Sequence, residues 1–144
     1  LAYIPGTGGN AAQAFYRAPN LSLLKVSFPN GWRTPPHDHG TWASILLLSG
    51  SEKNTIYARD DAGQLRRQRE VVLEKGSVQQ MPADVAHVAE CIGNEPAVGL
   101  HVYGGNILGL ERHMWDPDTL AEHPMDWRLY ETFKKRATEA ASAP

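Results

Sequence analysis

Short apolar runs alternate with clusters of glycine, proline, asparagine and aspartate along most of the chain. Seven of these runs have the length and the residue types of β-strands. They cover residues 21–28, 42–49, 54–59, 70–73, 77–81, 86–91 and 97–103. The turn-forming segment from Asp60 to Gly63 predicts a hairpin between two of them. Many short strands at this spacing are typical of a β-sandwich or a barrel.

Helical patterns occur at the two ends of the chain. Residues 10–16 predict a short N-terminal helix of one or two turns. Near the C-terminus, Asp126 is suited to cap a helix, because its carboxylate can accept from the amides that follow. The apolar positions after it recur at helical spacing, at Trp127, Tyr130, Phe133 and Ala137. We predict a C-terminal helix over residues 126–138 that packs on the barrel and takes no part in chemistry.

Composition and length argue against several classes of protein. The 144 residues suit one domain over the whole chain, and 14 Lys+Arg against 16 Asp+Glu give no basic excess for nucleic-acid binding. No apolar run approaches the roughly 20 residues of a membrane span. A single cysteine, Cys91, excludes an internal disulfide framework. We see no signal-peptide pattern after Leu1 and expect a cytoplasmic protein. The sequence makes no prediction of the oligomeric state.

The strongest chemical signal is the His37-Asp38-His39 sequence. Residues i and i+2 of an extended strand point to the same face, so both imidazoles can reach one metal ion. Asp38 points away and is expected to form hydrogen bonds or a salt bridge. The other histidines are His87, His101, His113 and His123. Of these, His113 and His123 lie among charged residues and are interpreted as surface or capping residues.

Two blocks of the sequence resemble the paired motifs of the cupin superfamily. The matching positions are Gly31, His37, His39, Gly50, Gly76, Pro82 and His87. Ala43 stands in the place of the usual glutamate ligand, and Asp84 in the place of a glycine. The resemblance implies an all-β fold, a cupin double-stranded β-helix (jelly-roll barrel), with its core over about residues 20–115.

The missing glutamate, together with His101-Val102-Tyr103, makes residues 14–105 similar to the cysteine dioxygenase type of thiol dioxygenase, in its bacterial branch. That resemblance implies an Fe(II) cofactor held by His37, His39 and His87. It also implies that Tyr103, oriented by His101, contacts the substrate or a dioxygen-derived ligand.

Two further positions follow from the same resemblance. Arg17 aligns with an arginine that binds the substrate carboxylate, for which the guanidinium fork is well shaped. The family has a Ser-x-His-x-Tyr series that relays protons, and Gly99 stands here in place of its serine. The resemblance therefore implies a shorter relay, made of His101 and Tyr103 alone. From the residues alone, a surface arginine at position 17 and a barrel-filling role for His101 and Tyr103 stay open.

Three neutral imidazoles leave a bound Fe(II) with its full +2 charge, which favours an anionic ligand such as a thiolate. The expected reaction is therefore the oxidation of a small thiol carboxylate, cysteine or 3-mercaptopropionate, to its sulfinate with O₂. Two alternatives remain. One is a three-histidine dioxygenase acting on a diketone or a flavonol, and the other is a metal-binding cupin without catalysis.

Overall fold

The structure is a computed structural model that describes residues 11–144, with Ala11 described in its backbone only. Its elements are, in chain order, ten strands and one helix within that range. They are β1 (Ala11–Ala18), β2 (Leu21–Phe28), β3 (Ala43–Ser49), β4 (Ser51–Arg59), β5 (Leu65–Leu73), β6 (Val78–Met81), β7 (Ala86–Ile92), β8 (Ala97–Tyr103), β9 (His113–Trp115), β10 (Glu122–Pro124) and α1 (Trp127–Ser142).

The strands form two main antiparallel sheets that enclose one core. Five strands pair in the order β1-β2-β8-β3-β6, and three pair in the order β5-β4-β7. A short ribbon of β9 and β10 lies beside them. All seven runs predicted as strands are strands, and the all-β prediction is confirmed.

The core follows from the alternation of apolar and polar residues. On β2, Leu24, Val26 and Phe28 are buried while their neighbours are less so, and Ile45 and Leu47 repeat the pattern on β3. Alternate residues of a strand share one face, so each strand turns these side chains inward. Because burying such side chains stabilises the fold by about 1.5–3 kcal/mol each, the two sheets close on one another.

Gly50 makes the corner at which the chain passes from one sheet to the other. It separates β3 from β4, which belong to different sheets, and has a φ of +76°. A Cβ at this position would overlap the backbone carbonyl of Pro96. Only glycine satisfies both the positive φ and the close approach of the backbone.

The predicted N-terminal helix is wrong where the structure describes it. Asn10 lies outside the described residues, but the rest of the segment belongs to β1 and pairs with β2, Ala12 opposite Val26 and Tyr16 opposite Leu23. The register shifts between Ala14 and Tyr16, as in a β-bulge. The local sequence suits a helix, but β2 offers a free edge of hydrogen-bonding groups, and this pairing outweighs a weak local preference.

The C-terminal helix is confirmed, and it extends to Ser142. Asp126 caps it as predicted, since its Oδ1 accepts from the amide of Leu129 at 2.9 Å. Phe133 is buried against the barrel, and the Lys134 ammonium lies 4.2 Å from the centre of the Trp32 ring. Within residues 11–144, no helix has both the length and the apolar character needed to span a membrane.

Candidate metal centre

Backbone hydrogen bonds place His37 directly opposite His87. The His37 amide donates to the carbonyl of His87 at 3.1 Å, and the His87 amide donates back to the carbonyl of His37 at 2.9 Å. His87 lies on β7, whereas His37 lies in the connection between β2 and β3. Because residues paired in this way project their side chains to the same face, the two rings meet inside the barrel.

The three predicted ligands form one buried cluster. Ring centroids are 4.6 Å apart for His37 and His87, 5.0 Å for His39 and His87, and 5.3 Å for His37 and His39. Each residue offers a nitrogen, and these nitrogens lie within 4.8 Å of one another. Among residues 11–144 no carboxylate belongs to the group. Ala43, in the place of a glutamate ligand, is buried and lies opposite Tyr103.

The hydrogen bonds of the rings leave nitrogens free for a metal. Nδ1–H of His37 donates to the Pro35 carbonyl at 3.0 Å, and Nδ1–H of His87 donates to Asn54 Oδ1 at 2.6 Å. Both acceptors require the proton on Nδ1, so Nε2 carries the lone pair. In the described part of the chain, His87 Nε2 and His39 Nδ1 are buried without a hydrogen-bond partner. These orphaned atoms fit a bound metal ion.

The site also keeps its imidazoles in the form that binds metal. Burial lowers the pKa of His37 to about 3, with a smaller contribution from the positive charge of Arg112. Burial and the neighbouring rings hold the pKa of His39 and of His87 well below its usual range. All three rings are therefore neutral at neutral pH, as metal ligation requires.

Asp38 turns away from the three rings, as the spacing predicts. Its carboxylate accepts from the backbone amide of His113 at 2.7 Å and from Nδ1 of that residue at 2.9 Å. His113 is thus only partly a surface residue, because it anchors the ligand segment to β9. His123 is partly buried and packs edge-on against Phe133, with ring centroids 5.5 Å apart. Neither histidine belongs to the cluster.

Tyr103 and His101 lie together beside the ligands. Nδ1 of His101 is 2.9 Å from the hydroxyl of Tyr103, and the Tyr103 ring centroid is 5.2 Å from that of His39. Burial raises the pKa of Tyr103 to about 12 and lowers the pKa of His101 to about 4. Gly99 leaves little room beside this pair, since a Cβ there would lie 3.2 Å from His101 Nε2. A serine in its place would press on the imidazole.

The structure does not bring Arg17 to this group. The Arg17 side chain is exposed on β1, where Nη2 donates to Asn106 Oδ1 at 3.3 Å. It is not among the residues that line the cavity over the three histidines. Its position gives no support to the substrate role predicted for it.

Arg112 supplies a guanidinium to the cavity instead. It lines the cavity, its Nε donates to the backbone carbonyl of Asp38 at 3.0 Å, and its guanidinium carbon lies 5.4 Å from the centre of the Trp127 ring. Sequence reasoning missed it because Arg112 stands between Glu111 and His113 and has the pattern of a solvated segment. In the structure its side chain reaches the Asp38 carbonyl and the Trp127 ring, and local sequence patterns do not reveal either contact.

The first turn of α1 covers the same cavity. Trp127 and Tyr130 both line it, and the Tyr130 ring lies 5.8 Å from that of His37, nearly perpendicular to it. The helix therefore packs on the barrel as predicted, and in addition it forms a wall of the site. The cavity is small, about 70 Å³. Its other walls are mostly apolar side chains, among them Leu24, Val26 and Phe28.

Comparisons with known proteins support the fold. No protein-family model matches the chain. A solved RmlC-like cupin with a double-stranded β-helix fold from Methanocaldococcus jannaschii is similar, with 12% identity, a TM-score of 0.56, and coverage of 74% of this chain and 90% of that one. Residues 11–144 therefore have the architecture of the cupin double-stranded β-helix, as the sequence motifs predict.

Two solved enzymes have a similar fold. The DMSP lyase DddQ from Ruegeria pomeroyi has 16% identity and a TM-score of 0.59, over 76% of this chain and 53% of its own. A variant of Bacillus subtilis oxalate decarboxylase has 19% identity and a TM-score of 0.55, over 68% of this chain and 26% of its own. The chain thus spans about half of the first and a quarter of the second. At this identity the likeness extends to the fold alone.

Proposed function

We propose that this protein is an Fe(II)-dependent thiol dioxygenase. Its reaction would be R–SH + O₂ → R–SO₂H, in which both oxygen atoms bond to sulfur and the four electrons lost by sulfur reduce O₂. The observation that carries the proposal is a buried group of three neutral imidazoles, to which no carboxylate of residues 11–144 belongs. A phenol, a guanidinium and the carboxyl of Glu52 line the same small cavity.

The donor set suits a divalent metal, and His37, His39 and His87 would hold it. When bound, Fe(II) with three neutral ligands supplies a +2 charge, open coordination positions and one-electron redox chemistry. Imidazole also suits zinc, copper and nickel, so metal content belongs in the test of the proposal.

Arg112 is the group that suits a substrate carboxylate. Guanidinium stays protonated in proteins and pairs with a carboxylate through two parallel hydrogen bonds. The Trp127 ring, 5.4 Å from the guanidinium carbon, and the hydrogen bond to the Asp38 carbonyl hold the guanidinium in position. Tyr103, oriented by His101, keeps its proton at neutral pH and can donate it as a hydrogen bond to the oxidised sulfur group.

The size of the cavity supports a small substrate. Ligand sites for drug-sized molecules are roughly 300–1,000 Å³, whereas this cavity is about 70 Å³. Cysteine and 3-mercaptopropionate have few non-hydrogen atoms and suit that volume better than a flavonol does. This supports a small thiol carboxylate over a flavonol, whereas a small diketone is similar in size to cysteine and is distinguished by the oxygen-uptake test.

Oxygen consumption tests the proposal. Purified protein loaded with Fe(II) is given cysteine, 3-mercaptopropionate or mercaptosuccinate in an oxygen electrode, and sulfinate is measured by mass spectrometry. We expect one O₂ consumed for each sulfinate formed with at least one of these thiols, and none with His87→Ala. O₂ uptake only with a diketone would favour the alternative dioxygenase, and no uptake with any compound would favour a non-catalytic metal protein.

A further inference from the structure

Two polar residues of β4 lie inside the barrel beside the metal centre, and Glu52 also lines the cavity of the three histidines. Glu52 and Asn54 are separated by two positions, so they share the inner face of the strand. β4 pairs with β7, which carries His87, and Asn54 lies opposite Ala89 in that pairing. Glu52, Asn54 and His87 are 2%, 0% and 2% exposed, respectively.

The three residues form a continuous chain of hydrogen bonds. Asn54 Nδ2 donates to Glu52 Oε1 at 2.8 Å, and Asn54 Oδ1 accepts from His87 Nδ1 at 2.6 Å. An asparagine amide can face either way, and its neighbours decide which atom points where. Because a carboxyl oxygen of Glu52 accepts on one side, the amide oxygen faces the imidazole on the other.

That orientation determines which nitrogen of His87 can bind a metal. With the proton on Nδ1, the lone pair is on Nε2, the buried atom that lacks a partner among the described residues. The reversed amide would present N–H to Nδ1 and would place the proton of the neutral ring on Nε2, where it blocks ligation. The orientation of the Asn54 amide between Glu52 and His87 therefore matters for metal binding.

Packing alone gives no reason for a carboxyl at position 52. A buried carboxyl loses its hydration, and an apolar side chain would fill the same space at lower cost. Burial raises the pKa of Glu52, in keeping with that cost, and Asn54 partly offsets it by donating to the carboxyl.

We infer that Glu52 is a positioning residue that acts through Asn54 to hold His87 in the Nδ1–H form with Nε2 directed at the metal. The inference rests on the metal centre of the proposed function and is independent of the thiol substrate. Glu52 acts by accepting from Asn54 Nδ2, and an amide oxygen at position 52 can accept in the same way, so the role requires the acceptor and not the charge.

Cobalt(II) affinity tests this role, measured by competition with a chelator and by the visible absorption of the bound ion. Asn54→Leu and Glu52→Met should each weaken binding by roughly 10–100-fold, the range typical of lost partners behind a histidine ligand. Glu52→Gln keeps an acceptor and should stay within about three-fold of the native protein. In the Asn54→Leu background, Glu52→Met should add little, because Glu52 acts through Asn54.

The matched control is Thr55→Val, a nearly isosteric change at a buried position of the same strand. It should leave cobalt affinity unchanged. Equal affinities for Glu52→Met and the native protein would overturn the inference, as would a full additional loss on adding Glu52→Met to Asn54→Leu.

A second readout begins with the native protein, for which no variant has to fold. Nitrogen-15 NMR of the metal-free native protein should show His87 protonated on Nδ1, and Asn54→Leu should populate the Nε2–H form. Nε2–H as the main form in the native protein would overturn the inference. Tight cobalt binding without thiol oxidation would refute only the proposed function, whereas no cobalt binding by the native protein would refute both.

Discussion

The hydroxyl of Tyr103 lies 2.9 Å from Nδ1 of His101, and both side chains share the inner face of β8. Burial moves the pKa of the phenol up to about 12 and the pKa of the imidazole down to about 4. Both groups are neutral over a wide pH range as a result. The pair can therefore orient one hydrogen bond toward the cavity without carrying a charge of its own.

Replacing Tyr103 by phenylalanine removes that hydrogen bond and preserves the ring. We expect iron content to stay at the native level, while kcat for sulfinate formation falls on the order of 10²-fold, as for other single donors to developing charge. Metal analysis and oxygen-electrode kinetics measure the two quantities. Tyr57→Phe, at a tyrosine that does not line the cavity, is the control. Native turnover in Tyr103→Phe would reduce the phenol to a packing role.

Replacing Arg112 and replacing Arg17 should have different effects on substrate binding. Arg112→Met removes the guanidinium that lines the cavity, and a charged hydrogen bond contributes about 1.5–3 kcal/mol. KM for 3-mercaptopropionate should therefore rise roughly 10–100-fold, with little change for cysteamine, which has no carboxylate. Arg17→Met should change neither value, because Arg17 is exposed outside the cavity. A rise in KM confined to Arg17→Met would restore the role predicted from the sequence.

His87→Ala should abolish tight iron binding. The remaining pair, His37 and His39, supplies only two of the three imidazoles that meet at the site. Iron content after anaerobic reconstitution and desalting measures the effect. His123→Ala, outside the cluster, should retain native iron content. Full iron occupancy in His87→Ala would remove that residue from the metal centre.

The metal-free protein should lose stability as the pH falls from about 6.5 toward 4. Burial lowers the pKa of His37 to about 3 and the pKa of His101 to about 4, whereas each is about 6.5 in the unfolded chain. Between these values the unfolded chain binds protons that the folded protein excludes. The free energy of unfolding therefore decreases as the pH decreases. Burial raises the pKa of Glu52, which opposes the trend, but one carboxyl is outweighed by four buried histidines.

Calorimetry in the presence of a chelator checks this dependence. Tm should be lower at pH 5.0 than at pH 7.5, and the drop should be smaller in His101→Gln. Equal Tm values at the two pH values in the native protein would contradict the expected protonation states.

Several features of this molecule were predictable because they depend on short-range patterns. Alternating apolar residues mark β2 and β3, and the capping carboxylate of Asp126 marks the start of α1. The spacing of His37 and His39, and for His87 the resemblance to the paired cupin motifs, likewise pointed to three side chains that the structure gathers into one cluster. Local periodicity and spacing determine these features, since each depends on neighbours in the sequence or on a recurrent pair of motifs.

The N-terminal strand and the cation of the site could not be predicted in this way. Residues 11–18 form a strand because they pair with the edge of β2, and the local sequence of residues 11–18 does not indicate that this edge is available. Arg112 lines the cavity, where it donates to the Asp38 carbonyl and lies over the ring of Trp127, a residue of the helix that was predicted to take no part in chemistry.

The sequence by itself thus determined the strand pattern, the C-terminal helix and the identity of the three clustered imidazoles. Tertiary structure decided which arginine faces them, which helix residues wall the cavity, and that Glu52 and Asn54 stand behind His87. The physical reason is that hydrogen bonds and packing between strands far apart in the chain select these neighbours. Such contacts depend on sheet pairing and register, which periodicity and composition do not specify.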